Sequence, residues 1–184
     1  DIEIVEKVAA DIQTDGATTA PAHMLYDIVR KLPEGAQAEL ETNSETSQLV
    51  LKSGRSRFTL STLPTADFPV MVDGDMAHKF SLSGSVLRSI IDRTRFAISM
   101  EETRYYLNGI FLHCAKSDLG DVLRAVATDG HRLARVEMPI PDGALGMPDV
   151  IVPRKTVAEL RRLIDETDED ISIELSDTKI RFSF

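Results

Sequence analysis

The tetrapeptide Asp129-Gly130-His131-Arg132 places a carboxylate two residues from an imidazole. Such a pair could exchange protons near neutral pH, as a small hydrolase would require. The same residues also fit a structural role, because Asp-Gly is a common tight-turn dipeptide between two strands. The turn is the favoured interpretation, and acid–base chemistry by Asp129 and His131 is kept as an alternative.

Other patterns of catalysis or metal binding are absent from the sequence. There is no Walker loop, GxGxxG, GxSxG or HExxH, and the four histidines lack the spacing of metal ligands. The acidic triplet Asp73-Gly74-Asp75 is best interpreted as an exposed turn, and Cys114, in an apolar run, as a buried and inert thiol. We therefore expect no metal, no cofactor and no enzymatic activity.

An arginine beside two tyrosines gives the segment Arg104–Gly109 another possible chemistry. Aromatic faces next to a cation can stack on exposed nucleic-acid bases. Tyrosine also favours strands, so packing at a strand edge explains Tyr105 and Tyr106 equally well. Both interpretations remain open at this stage.

Positive charge is concentrated in three segments with helical periodicity. The formal net charge is −9, yet these segments contain nine basic residues and only four acidic ones. Residues seven apart nearly superimpose on a helix, so we expect Arg154 over Arg161 and Lys155 over Arg162, opposite the apolar side chains. Such a face fits the phosphate backbone without reading bases, although ordinary solvation of exposed helices would also explain it.

The elements that must position these residues follow two periods. A period near 3.6 predicts three helices, Pro21–Leu32, about Ser83–Ile98 and Pro153–Asp165. A period of two predicts eight strands: Ala38–Glu41, Gln48–Lys52, Arg57–Leu63, Tyr105–Cys114, Leu123–Thr128, Arg132–Met138, Ile171–Leu175 and Lys179–Phe182. Single helices separated by several antiparallel strands indicate an α+β fold, with helices packed on antiparallel sheets.

One arrangement of elements occurs twice. A helix, a turn and a strand follow one another in Pro21–Glu41 and again in Pro153–Leu175, and the segments Asp1–Val5 and Asp129–Leu133 are each expected to lead into a preceding strand. A repeat this long indicates duplicated domains rather than a solenoid, with chance similarity as the alternative. The seam is predicted within Asp67–Ala77, which is rich in proline, glycine and aspartate.

Composition limits the class of protein. The 184 residues are 42% hydrophobic and 28% charged, which is typical of a globular protein. No run approaches the roughly 20 apolar residues needed to cross a bilayer, and the single cysteine suggests a reducing cytoplasm. Both ends fall within alternating patterns, so we expect an internal fragment of a longer protein.

Six stretches of the sequence resemble signatures of the bacterial sliding clamps, the β subunits of DNA polymerase III. They are Ser53–Phe58, Leu60–Pro64, Asp67–Pro69, Arg104–Gly109, Ala127–Ala134 and Val152–Lys155. The resemblance covers nearly the whole chain and implies the DNA clamp fold. In that fold two subunits of three similar domains form a ring, helices line the hole and sheets form the outer wall.

The resemblance also implies domain limits and a function. Residues 1–72 would be the second half of clamp domain 1, residues 73–77 a linker and residues 78–184 most of domain 2, with domain 3 absent. The protein would be a processivity factor for DNA replication, a non-catalytic subunit of the DNA-directed DNA polymerase (nucleotidyltransferase) complex in the cytoplasm. The alternatives are a peptide-binding module without a DNA role and the small hydrolase described above.

Three sets of site residues are carried over from the family by position. The residues implied to face DNA are Arg30, Tyr105, Tyr106, Arg154, Lys155 and Arg162. Those implied to bind partner peptides are Arg104, Leu107, Thr128, Gly130, His131, Arg132 and Leu133. Those implied at the dimer interface are Ile28, Phe58 and Leu60. Glu101 departs from the family pattern, in which some relatives carry an amide, and is left out of these sets.

The implied partners follow from the same resemblance. They are double-stranded DNA of any sequence, and the polymerase III α subunit, the clamp loader, other polymerases and repair proteins, which dock through short peptides. The complete protein would form a homodimeric ring, and no membrane is involved.

Overall fold

The computed structural model describes residues 2–43, 46–71, 74–118, 120–165 and 169–184. The chain forms two compact units, one from Glu3 to Met71 and the other containing residues 74–184. Within the described residues, no helix is long and apolar enough to cross a membrane.

Among its described residues, the first unit contains one α-helix, one antiparallel sheet and a short 3-10 helix, Thr65–Asp67. Its elements are α1 (Ala22–Val29), β1 (Glu39–Asn43), β2 (Gln48–Ser53) and β3 (Ser56–Ser61). Pro21 occupies the N-cap of α1, and the strands lie in the order β1-β2-β3. Leu49, Leu51 and Leu60 are buried at 1–2% exposure, whereas α1 has no buried residue.

In the part of the second unit that the structure describes, there are two α-helices and two antiparallel sheets. Its strands are β4 (His78–Ser83), β5 (Gly109–Ser117), β6 (Gly120–Thr128), β7 (Leu133–Pro139), β8 (Val150–Pro153), β9 (Asp170–Leu175) and β10 (Ile180–Ser183). Its helices are α2 (Gly84–Thr94) and α3 (Arg154–Ile164). One sheet has the order β10-β9-β4 and the other β7-β6-β5-β8.

The hydrophobic core of the second unit lies between its helices and sheets. Both helices are amphipathic: α2 buries Leu87, Ile90 and Ile91, and α3 buries Val157, Leu160 and Ile164. They pack against the buried side chains of β4, β5, β6, β8 and β9. The Ser83 hydroxyl caps α2 by accepting the Val86 N–H at 3.4 Å. The α+β class with helices packed on antiparallel sheets is therefore confirmed.

The structure corrects two predicted strands. Tyr105–Leu107 is a turn of 3-10 helix, in which the Leu107 N–H bonds the Arg104 carbonyl at 2.9 Å, and β5 begins only at Gly109. The strand expected at the start of the chain does not form over residues 2–5, because no strand of the first unit pairs with it in the described part of the chain. Asp1 itself lies outside the described residues.

Sequence periodicity missed two strands, β4 and β8. β4 directly precedes α2 and β8 directly precedes α3, so each strand merges with the helical pattern that follows it. Strands as short as these were predicted elsewhere in the chain, so the adjoining helical pattern, and not the length of four or six residues, explains why they were missed.

Candidate functional site

The loop joining β6 to β7 is organised by the Asp129 carboxylate. Its Oδ1 accepts the backbone N–H groups of His131 and Arg132, each at 3.0 Å, and its Oδ2 accepts Arg132 Nε at 3.0 Å. The backbone hydrogen bonds from His131 and Arg132, followed by the Arg132 side chain, lower the pKa of Asp129 to about 2. Asp129 is therefore ionised at neutral pH, and both of its carboxylate oxygens accept hydrogen bonds that hold the loop in place.

Thr128 and Gly130 complete this loop. The Thr128 hydroxyl donates to the Arg132 carbonyl at 2.8 Å and accepts the Gly130 N–H at 3.1 Å. Gly130 has a φ of +91°, a conformation that L side chains rarely adopt. A Cβ at this position would lie 3.0 Å from Arg104 Nη1, so the absence of a side chain also leaves room for the arginine.

Replacing Gly130 with alanine should destabilise the second unit by about 1–2 kcal/mol, because the new Cβ is strained at positive φ and crowds Arg104. Denaturant unfolding of the chain measures this loss. Gly146→Ala is the matched control, since its φ is +80° but nothing lies within 4 Å of the added Cβ. An equal loss in both variants would show that the Arg104 contact has no energetic effect.

Arg104 lies at the edge of the Thr128–Leu133 loop and contacts its backbone. Its Nη2 donates to the Asp129 carbonyl at 3.3 Å, and its guanidinium forms an ion pair with Glu101. The side chain of Leu107 is half-buried in the turn that begins at Tyr105, directly after Arg104. The structure thus brings Arg104 to the Thr128–Leu133 loop, as the resemblance implied, and adds Glu101, which the sequence analysis had left out.

Two large apolar side chains are exposed beside this loop. Leu133 is 63% exposed and Phe96 is 53% exposed. The Arg132 guanidinium lies 5.5 Å from the centre of the Phe96 ring, a cation–π arrangement. Phe96 was missed by sequence reasoning, although its position just after the last turn of α2, outside the apolar stripe, could have indicated an exposed aromatic residue.

The geometry gives no support to acid–base chemistry at Asp129 and His131. Both carboxylate oxygens of Asp129 are occupied by the loop, and in the described part of the chain the His131 imidazole makes no hydrogen bond to them. The same part of the chain also contains no cluster of three metal-ligating side chains. The Thr128–Leu133 loop has a conformation fixed by hydrogen bonds and exposes apolar surface, which are properties of a binding site.

A second group of predicted residues meets at the start of α3. The Arg154 N–H donates to the Asn108 carbonyl at 3.0 Å, which ties the Tyr105–Leu107 turn to the first turn of the helix. Tyr105 and Tyr106 are 79% and 55% exposed and pack edge to face, with ring centres 5.7 Å apart. The Arg154 guanidinium reaches the Met100 sulfur at 2.7 Å, and Lys155 is exposed.

Arg162 lies about two turns further along α3, roughly 10 Å from Lys155 along the helix axis. Its guanidinium is exposed and pairs with Glu159 at 3.1 Å within the same helix. Four of the six predicted DNA-facing residues therefore cluster at the start of α3, and a fifth continues along that helix.

Arg161 does not belong to the exposed positive face predicted for α3, because ion pairs hold its side chain between the two helices. Its side chain is only 20% exposed and bridges the two helices, with Nε 2.8 Å from the Asp92 carboxylate of α2 and a second contact to Asp165. Arg95 pairs with the same Asp92 at 3.3 Å, and Arg88 pairs with Asp165 at 3.4 Å. Positive charge is thus partly neutralised between the helices.

The cations that stay available on these helices are few. Arg93, Arg154 and Lys155 have no carboxylate within 4.0 Å among the residues that the structure describes. Two of them, Arg154 and Lys155, are among the residues predicted to face DNA. A charged ligand would therefore meet unpaired cations at the start of α3 rather than along its whole length.

The remaining predicted residues lie in the first unit. Arg30 is exposed, pairs with Asp27 at 3.1 Å and covers the Tyr26 ring at 5.5 Å. Ile28 and Phe58 are half-buried and line an open groove beside α1. Leu60 is only 2% exposed, so it supports the sheet from inside and does not present a surface.

Comparison with protein families gives two matches that together cover most of the chain. Residues 1–72 match the model of the DNA polymerase III beta subunit, N-terminal domain. Residues 81–184 match that of the DNA polymerase III beta subunit, central domain.

Similar proteins and structures agree with these matches. The beta sliding clamp of Caulobacter vibrioides is 51% identical over 184 residues, all of this chain and 50% of that protein. That of Escherichia coli K12 is 42% identical over 182 residues, 98% of this chain and 48% of that protein. A Bartonella birtlesii DnaN sliding clamp bound to griselimycin superimposes with a TM-score of 0.90 and 51% identity, over 96% of this chain and 47% of that one.

A Caulobacter crescentus sliding clamp superimposes with a TM-score of 0.88 and 51% identity, over 94% of this chain and 46% of that one. The chain therefore spans about half the length of the relatives that it matches.

Proposed function

The chain belongs to the DNA polymerase III beta subunit family, and from this membership we propose that it is part of a DNA sliding clamp. Such a clamp encircles duplex DNA and tethers the replicative polymerase to it, without catalysing a reaction itself. Retention on DNA is then topological, so no base needs to be read. The proposal concerns a complete subunit of about twice this length, in which residues 1–72 and 78–184 serve in the first and second domains, joined by residues 73–77.

Partner proteins dock, in this proposal, at the Thr128–Leu133 loop. The observation that carries it is a loop fixed by Asp129 beside two exposed apolar side chains, Leu133 and Phe96. A rigid, partly apolar surface of this kind binds a short peptide with little ordering cost. Arg104, Leu107 and His131 complete the surface.

The proposed partners share this docking surface. They are the polymerase III α subunit, the clamp loader, other polymerases and repair proteins, each presenting a short peptide. The ring itself would be a cytoplasmic homodimer, with Ile28 and Phe58 at the subunit contact, because both line a groove on the first unit.

DNA is proposed to lie against the start of α3 and the adjacent turn. Support comes from Arg154 and Lys155, which have no carboxylate partner among the described residues, and from the exposed rings of Tyr105 and Tyr106 beside them. Cations attract the phosphate backbone regardless of sequence, and exposed rings can stack on unpaired bases. Arg162 and, in the first unit, Arg30 are proposed to add further phosphate contacts.

The peptide-docking proposal is tested by Leu133→Ser in the complete subunit. Griselimycin, which the Bartonella birtlesii clamp binds, serves as the probe, and its Kd is measured by calorimetric titration. Removing a central apolar contact should weaken binding about tenfold or more. Leu145→Ser is the matched control, because Leu145 is similarly exposed at 66% but lies between β7 and β8. Equal affinity of the wild-type protein and Leu133→Ser would refute docking at this loop.

A further inference from the structure

Glu101 and Arg104 form a two-pronged ion pair beside the Thr128–Leu133 loop. Arg104 Nε donates to Glu101 Oε2 at 2.8 Å, and Arg104 Nη2 lies 2.7 Å from Glu101 Oε1. A bidentate pair of this kind fixes the plane of the guanidinium as well as its position. Glu101 therefore determines where the planar end of Arg104 lies.

The guanidinium of Arg104 contacts the backbone of the Thr128–Leu133 loop. Arg104 Nη2 donates to the Asp129 carbonyl at 3.3 Å, and Nη1 lies 3.0 Å from the position that a Cβ on Gly130 would occupy. Arg104 thus fills the space that the glycine leaves open. Glu101, Arg104 and the Asp129–Gly130 backbone form a continuous series of contacts from one segment to the other.

This ion pair contributes orientation rather than stability. The side chains of Glu101 and Arg104 are 58% and 33% exposed, and solvent-exposed pairs stabilise a fold only slightly. A free arginine, however, samples many rotamers, and ordering it on binding reduces affinity. Loss of Glu101 should therefore affect ligand binding at the loop more than it affects folding.

We propose that Glu101 is a positioning residue for partner-peptide binding, which acts by holding Arg104 against the Asp129–Gly130 backbone. The inference rests on the proposed function of the loop and assigns to Glu101 a role in that site. Glu101 does not touch the peptide, and its effect passes through the Arg104 guanidinium alone.

The test uses Glu101→Gln in the complete subunit, with griselimycin as the probe. The Kd should rise about two- to fivefold, the range set by the small energy of an exposed ion pair, while the Tm stays unchanged. Glu102→Gln is the matched control, because Glu102 is adjacent and exposed but forms no ion pair with any residue that the structure describes. It should leave the Kd unchanged.

A second measurement separates an indirect role from a direct one. In an Arg104→Ala background, Glu101→Gln should have no further effect on the Kd, because the residue through which it acts is gone. The same several-fold loss in that background would overturn the proposal, as would an unchanged Kd for Glu101→Gln alone. Failure of the docking function differs from both, since Leu133→Ser would then also bind griselimycin like the wild type.

Discussion

Replacing Arg154 and Lys155 together by glutamate is expected to weaken binding of the complete subunit to primed duplex DNA by about tenfold or more. Both residues lie at the start of α3 and lack a carboxylate partner among the described residues. Each phosphate contact releases condensed counterions. In a plot of log affinity against log salt concentration, the slope for the variant should therefore be less steep by about two. Fluorescence anisotropy titrations at several salt concentrations measure both quantities.

The matched control reverses two cations elsewhere in the second unit. Lys116 on β5 and Arg135 on β7 are exposed and lie outside both helices, so Lys116→Glu with Arg135→Glu changes the net charge equally. This control should keep most of the affinity and the original salt slope. If both double variants behave alike, the local DNA contact is refuted and a peptide-binding module without a DNA role becomes the better description.

Ile173→Ala is expected to destabilise the second unit by about 3–4 kcal/mol, which would be the largest single-residue effect on folding proposed for this chain. Ile173 is 0% exposed in β9, the central strand of its sheet. It lies opposite Phe80 of β4 and Phe182 of β10, so its removal leaves a cavity on both sides. Hydrogen exchange of the β4 and β9 amides in the 184-residue chain reports the loss.

Ile151→Ala is the control for this substitution, because it removes the same atoms from a side chain that is 41% exposed on β8. Its cost should be clearly smaller, about 1–2 kcal/mol, since part of the side chain is already in solvent and less apolar surface is lost. A loss for Ile173→Ala as small as that of the control would show that the β9 side chains are not the centre of the core.

The helices were predictable because amphipathic periodicity is a local property. The 3.6-residue period predicts an inward apolar stripe on each of the second and third helices. Those on α3 (Val157, Leu160 and Ile164) and most of those on α2 (Leu87, Ile90 and Ile91) are buried, whereas Val86 of the same α2 stripe is only half-buried. The strand prediction failed at Tyr105, where two aromatic residues favoured a strand by propensity. Backbone hydrogen bonds from Leu107 and Asn108 instead close a 3-10 turn, which orients both rings outward.

The sequence proposed the residues of the candidate peptide site but not the contacts that hold them in place. Its residues were carried over by the family resemblance, and the Asp-Gly dipeptide correctly indicated a turn. The function of Asp129 as the organiser of that turn, and the contribution of Glu101 and Phe96, depend on contacts that no spacing encodes. Arg132 covers Phe96 only because α2 ends beside the β6–β7 loop.

The sequence by itself determined the α+β class, the amphipathic helices and the excess of positive charge upon them, because each follows from residues close together in the chain. Only the tertiary structure decided which charges remain available. Arg161 and Arg154 are equivalent by helical position, yet Arg161 pairs with Asp92, 69 residues away, whereas Arg154 has no such partner among the described residues. Periodicity specifies the face of a helix that is polar, but the packing of α2 against α3 determines which polar groups meet.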